Sequence, residues 1–443
     1  MRNRNLYKKL TAVLLAAVLM TGCGVAGDQS PGEDVVPLEE RESPEEDISE
    51  EEEPDEEAGP MEEEDDMYEL KQEEIKGLRA FFLDSAPVFL GEEDGKNHIY
   101  SPVNVYMALG LLAEVTDTET RQQILDAVHA GSLEEMEERT AAIWKGISRD
   151  SEEGKCLLGN SLWIDGSGSC RKDTADRMEE KLHASVFEGE MGSAEMNKAF
   201  QDWLNEMTGD LLKEQTSSLG FDPDTIAALA STIWLKARWV NTFEEAFTVP
   251  DTFHGAGGDR QADFMHEDGI GTLYLGENFT VYEKYLTGTG SMLFILPAEG
   301  VSPEALLKDE ELGRFLTMED PWEWDNSKNV MIHAAIPKFD LTSSLDLISG
   351  LKELGIEKAF DAKASDFTPL TEVPEICISR ALHNARVKID EEGIEAAAYT
   401  AIMAAGAALV EEEAYFTLDR PFVFAVRSYE GVPLFTGVVN QTE

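Results

Sequence analysis

Residues Glu391–Val410 read EEGIEAAAYTAIMAAGAALV, and the conformation assigned to this stretch decides the fold. Its alanine content favours a helix, and a buried helix is the plain structural reading. The flanks argue otherwise: Glu391-Glu392 on one side and Glu411-Glu412-Glu413 on the other suit an exposed loop. Read with period two, one face carries Ile394, Ala396, Ala398, Thr400, Ile402 and Ala404. The other carries Glu395, Ala397, Tyr399, Ala401, Met403 and Ala405. The first face has no charge. A strand in the middle of a sheet needs that, because a buried unpaired charge is prohibitively costly. Small side chains also let an existing sheet part and accept the segment. The stretch is therefore compatible with a loop that waits in solvent and later becomes a strand.

Outward from it, the chain supplies helices first and strands later. Tyr68–Leu90, Ser101–Gly110, Thr118–His129, Leu133–Ile147, Asp173–Leu182, Ala194–Leu212 and Leu345–Leu354 place apolar residues at helical spacing. Leu157–Ile164, Leu229–Trp239, Thr280–Tyr285, Ser291–Pro297, Val330–Phe339 and two or three segments within Tyr415–Asn440 read as strands, and Arg386–Asp390 as a strand end. The expected class is α+β, with helices packed on large, mostly antiparallel sheets.

The N-terminus has a different texture. Arg2, Arg4, Lys8 and Lys9 precede an apolar run, Leu10–Met20, that is too short to span a bilayer as a stable helix. The run ends in Met20-Thr21-Gly22-Cys23, which resembles the lipobox of bacterial lipoproteins, although Met20 stands where an aliphatic residue is usual. That resemblance implies a signal peptide over 1–22 and acylation of Cys23; an ordinary secretory peptide with a chance cysteine is the alternative. Gly24–Asp66 carries 21 acidic residues against the single base Arg41, together with five prolines, and reads as a disordered tether. The expected organisation is a leader (1–22), an acylated cysteine and acidic tether (23–66), and a folded domain (67–443). The protein is then expected on the extracellular side of a bacterial membrane, anchored by lipid.

The net charge of −53 lies only partly in the tether; 67–443 still carries −37. Such an acid excess argues against nucleic-acid binding and against adhesion to an anionic membrane through a basic face. No H-E-x-x-H, C-x-x-C, P-loop or G-x-S-x-G motif occurs, so nothing points to an enzyme, a metal or a cofactor. Gly255-Ala256-Gly257-Gly258 lacks a strand–helix context and is read as a turn. Cys156, Cys170 and Cys377 are read as free, partly buried thiols, with a disulfide as the lesser alternative.

From about Tyr68 to the C-terminus the chain resembles the serpins. Glu391-Glu392-Gly393-Ile394-Glu395-Ala396-Ala397-Ala398 is similar to the serpin hinge, with Ile394 in place of the usual Thr. Ser101-Pro102, Thr120–Ile124, Asn160–Trp163, Ala230–Trp239 with Phe243, Phe247, Thr248 and Phe253, Ile336–Phe339, Arg420–Phe422 and Pro433–Gly437 follow in the family's order. Asn104 and Ser231 replace a Ser and an Asn that hydrogen-bond near the sheet centre in the family. Trp239 and His383 match a tryptophan at the top of the sheet and a buried histidine before the hinge.

The resemblance implies a suicide-substrate protease inhibitor. A serine or cysteine protease cuts the loop and forms an acyl-enzyme, and the freed loop enters the sheet as a new strand. In many members the residue before the cut lies fourteen after the hinge glycine, giving Ala407 and Ala408 here. The run to Pro421 is longer than usual, which leaves Met403, Ala405, Leu409 and Val410 open. Small and aliphatic residues imply an elastase-, subtilisin- or papain-like target, and a monomer is expected. The alternatives are a non-inhibitory serpin acting as a binding or structural lipoprotein, and a solute-binding lipoprotein or hydrolase sharing only the export signal.

Overall fold

The computed structural model describes residues 70–151, 154–166, 170–210, 213–216, 219–394 and 412–442. The expectations for Cys23, Glu395, Ala396, Ala397, Ala398, Ala407 and Ala408, and for the leader and tether, lie outside these residues.

The helical part begins with α1 (Gln72–Leu90), which turns Ile75, Leu78, Phe82 and Phe89 inward at helical spacing. After β1 (His98–Tyr100), helix α2 (Pro102–Glu114) is buried on every side. The Ser101 hydroxyl caps it by accepting from the Asn104 amide, and Pro102 occupies the first turn, where its missing N–H is no loss. Next come α3 (Thr118–Ala127), α4 (Leu133–Ile147), β2 (Arg149–Asp150), β3 (Gly154–Asp165), α5 (Lys172–Lys181), β4 (Ser185–Gly189) and α6 (Ala194–Met207). Helix α6 stops five residues short of the expected Leu212. Gly209 adopts φ +57°, and a Cβ there would lie 2.5 Å from the Trp234 ring, so the chain turns away.

Strands dominate the rest: β5 (Ala227–Arg238), β6 (Thr248–Gly255), β7 (Gly258–Leu275), β8 (Phe279–Leu286), β9 (Gly290–Pro297), β10 (Ser327–Pro337), β11 (Phe339–Asp346), β12 (Ile378–Ile389), β13 (Gly393–Ile394), β14 (Glu413–Thr417), β15 (Phe422–Ser428) and β16 (Pro433–Val439). Seven strands form one sheet in the order β11-β12-β13-β5-β3-β2, with β4 on β3; nine form another, β1-β16-β15-β9-β8-β7-β10-β14, with β6 on β7. Pairing is antiparallel except at β12–β5, β3–β4 and β10–β14. Helix α2 lies between the sheets, against β3, β5 and β16.

The α+β expectation holds, and the glycine-rich 255–258 stretch is the turn joining β6 to β7. Cys156, Cys170 and Cys377 are free thiols. Sequence reasoning missed the short strands β1, β2 and β4, and also β6, β7 and β11. It also placed a helix over Leu345–Leu354, whereas β11 runs through Asp346 and the helix begins at Ile348.

Candidate functional site

The hinge stands at the mouth of a seam between β12 and β5. In the lower part the two strands pair directly in parallel, from Ile378 beside Ala227 to Asn384 beside Thr232. Higher up they separate, and β13 fills the opening: Ile394 pairs with Ile389 on one side and Ala237 on the other. Ile394 is 1% exposed. The hinge thus does not wait wholly in solvent; Gly393 and Ile394 are already a strand. Gly393 makes the entry possible, since a Cβ there would sit 2.2 Å from the Ala237 carbonyl oxygen.

The turn before Gly393 is held by a dense set of bonds. The Trp239 amide donates to the Glu392 carbonyl, the Trp239 indole N–H to the Asp390 carbonyl and the Phe243 amide to the Glu391 carbonyl, each at 2.9 Å. The Glu391 carboxylate accepts from Thr248 Oγ1 at 2.7 Å and Lys338 Nζ at 2.8 Å. Burial alone would raise its pKa, but the Lys338 ammonium and the Thr248 hydroxyl outweigh it and hold the carboxyl below its ordinary value. Arg238 Nη2 reaches Glu392 Oε2 at 2.9 Å. Glu391 therefore is not the marker of an exposed flank that its sequence context suggests. It is a buried anchor.

Below the mouth the seam is polar and poorly satisfied. The ring of His383, fully buried, accepts from the Ser101 amide at 3.0 Å through Nε2, while Nδ1 finds no protein partner. Burial drives its pKa down to about 4, so the ring is neutral at physiological pH. Ser231 lies beside His383 on one flank and Asn160 on the other. Ser231 Oγ, Thr232 Oγ1, Asn160 Oδ1, Asn384 Nδ2 and both amide atoms of Asn104 are buried without a protein partner. A small, otherwise apolar cavity of about 20 Å³ adjoins Ser231, lined also by Leu109, Leu112, Leu229, Leu347 and Leu382.

The structure thus gathers Trp239, Glu391, Glu392, Gly393 and Ile394 at the mouth, and His383 and Asn104 at the seam centre. The anchoring roles of Lys338, Thr248, Arg238 and Phe243 were missed. The one signal for Lys338 is a lone base between Pro337 and Phe339 in an apolar run. Among the described residues no three His, Cys, Asp or Glu side chains converge as a metal site.

One sheet thus carries a two-residue strand in its seam, and beyond the loop the chain returns as β14 of the second sheet. The family model for "Serpin (serine protease inhibitor)" matches residues 78–442, and the chain belongs to the serpin family. It is 28% identical over 380 residues to alpha-1-antiproteinase of Callosciurus caniceps, covering 83% of this chain and 88% of that one. It is 25% identical over 379 residues to a serpin-like protein of Thermococcus kodakarensis, covering 82% and 84%. Among solved structures, the thermophilic serpin tengpin in its native state superposes with a TM-score of 0.74 at 24% identity, covering 84% of this chain and 95% of its own. Human thyroxine-binding globulin superposes with a TM-score of 0.70 at 23% identity, covering 85% and 100%.

Proposed function

We propose that this serpin is a protease inhibitor that acts as a suicide substrate and not an enzyme in its own right. A serine or cysteine protease attacks a carbonyl within Met403–Val410, with Ala407-Ala408 the preferred bond. Its nucleophile becomes acylated and the new amino terminus departs. The loop then extends β13 down the seam, drawing the protease with it. Distortion of the protease's catalytic geometry protects the ester or thioester, since a 1 Å misplacement can cost ~100-fold in rate. The observation that carries this reading is Ile394, buried and paired between Ile389 and Ala237. Elastase-, subtilisin- and papain-like enzymes are the proposed targets, because no Arg or Lys occurs from Gly393 to Asp419. Acylation of Cys23 would hold a monomer on the outer face of a bacterial membrane.

Incubation with pancreatic elastase, subtilisin and papain tests the reading. A complex that survives boiling in SDS, with a cut within Met403–Val410, is expected from at least one. Loop cleavage by all three without a complex would favour a non-inhibitory binding role.

A further inference from the structure

The nine-stranded sheet contains an ion pair between a buried lysine and a half-buried glutamate that the inhibitor reading does not use. Lys284 on β8 is 4% exposed, and its ammonium donates to both carboxylate oxygens of Glu267 on β7, each at 2.7 Å. A buried pair of this kind is weak evidence for stability, because desolvation cancels much of the attraction. Its neighbours suggest another role.

On one side the ammonium lies 4.1 Å from the centre of the Phe243 ring and 5.7 Å from that of Trp239. Cations over aromatic faces are held by the ring quadrupole, more strongly when desolvated. These two residues are the ones whose N–H groups grip the carbonyls of Asp390, Glu391 and Glu392, at the chain's entry to the hinge. The contact is reinforced along the backbone: Trp239 bridges Leu286 at the end of β8, and the Val240 amide donates to the Tyr285 carbonyl.

On the other side Glu267 Oε1 also accepts from the Tyr282 hydroxyl at 2.5 Å. The Tyr282 ring packs 5.5 Å from that of Phe416 on β14. Glu267, Ala334 and Phe416 lie side by side across β7, β10 and β14. Strand β14 is where the chain returns after the loop, and the Met331 amide of β10 donates to the carbonyl of Glu412 at 2.9 Å. One carboxylate therefore holds a cation that steadies the departing end of the loop and a phenol that steadies the returning end.

We infer that Lys284 and Glu267 are positioning residues that couple the two ends of the reactive loop through a single, largely buried ion pair. Their effect passes through Trp239 and Phe243 at one end and through Tyr282 and Phe416 at the other. For its functional consequence this inference rests on the inhibitor reading. Loosening the pair would let one end move without the other and raise the share of cleavage events that end in a released, cut serpin.

Amide hydrogen exchange on the uncleaved protein tests the coupling without any protease. The double variant Lys284→Met/Glu267→Leu removes both charges together, so that neither ion is left unpaired, and frees the Tyr282 hydroxyl, whose own contribution Tyr282→Phe reads separately. It is expected to speed exchange at least tenfold at the amides of Trp239, Phe243 and Met331, with Leu162 in β3 and Phe424 in β15 unchanged. Tyr282→Phe, a smaller change that keeps the ring, is expected to speed Met331 alone. Wild-type rates at both ends, or a uniform rise including Leu162 and Phe424, would overturn the coupling. If the double variant does not fold, the Met331 rate in Tyr282→Phe decides. With elastase, the double variant is expected to lower the ratio of SDS-stable complex to cut serpin at least fivefold. An unchanged ratio would overturn the functional consequence, whereas absence of complex from wild type would count against the inhibitor reading and leave the exchange result standing.

Discussion

The mouth and the middle of the seam are built from similar polar residues in opposite ways. At the mouth every carbonyl of Asp390–Glu392 and both glutamate carboxylates have donors. In the middle, a few residues lower, Asn104, Ser231, Thr232 and Asn384 are buried with side-chain atoms that no protein group meets. Since a buried unsatisfied polar group costs ~1–3 kcal/mol, the closed lower seam is the less comfortable part of the sheet. The mouth is a latch that fixes where a strand starts, and the middle is the region that gains if the sheet opens.

The comparison breaks most severely at Ile394. Ile394→Arg would bury a guanidinium between β12 and β5, at a cost of several kcal/mol. The expected result is loss of SDS-stable complex with continued loop cleavage; retained inhibition would end the insertion mechanism. The next effect is one of pH and belongs to the middle. The His383 pKa is about 4 when folded, against the usual ~6.5 when unfolded, so below pH 6.5 only the unfolded chain takes up the proton. Stability contributed by the neutral ring is complete above pH 6.5 and falls as the pH drops toward 4. About 2 kcal/mol should be lost between pH 7 and 5, read as a lower urea midpoint of the uncleaved protein. His383→Gln, which can still accept from the Ser101 amide, should flatten that slope.

At the mouth, Lys338→Met strips Glu391 of its cation. Lys338 is about a third exposed, which discounts the penalty of a fully buried pair, and a stability loss of about 1.5 kcal/mol, read as a lower urea midpoint, is expected. Because the Glu391 pKa is depressed, its contribution is present above the ordinary glutamate range and lost as the pH falls through the lowered value. The variant should therefore be less sensitive to acid below pH 4.5. The smallest effect tests the middle from the other direction. Ser231→Ala removes an unpartnered hydroxyl and should raise the stability by about 1 kcal/mol, read as a higher urea midpoint, whereas a loss of stability would mean that the hydroxyl is satisfied after all.

The sequence makes the mouth far more legible than the ties beneath it. Gly393 before an uncharged alternating face marks the hinge, and Ser101-Pro102 marks a helix start, because both are local patterns. The pairing of Lys284 with Glu267 depends on sheet register and leaves no local trace. Strands β6 and β7 were missed because Asp251, Asp259, Asp263, Glu267 and Asp268 give an exposed, half-solvated hairpin the composition of a loop. The exposed-flank reading of Glu391 failed for a related reason, since the Lys338 that buries it lies on a distant part of the chain.

The two residue pairs of β13 also act as a ruler. Gly393 lies against Arg238 and Ile394 against Ala237, antiparallel to a β5 that is 12 residues long. Continued at one residue per place, that register would set Glu395 opposite Lys236, Thr400 opposite Ser231 and Ala404 opposite Ala227, the last place in β5. The first charge of the segment would meet a base, and the unsatisfied hydroxyl of Ser231 would gain a hydroxyl neighbour. A cut on the N-terminal side of Ala404 would leave a strand too short to fill the rail. On the insertion reading, the length of β5 would set a minimum loop length before the scissile bond, favouring Ala407-Ala408 over a cut after Met403, independent of what any protease prefers to bite.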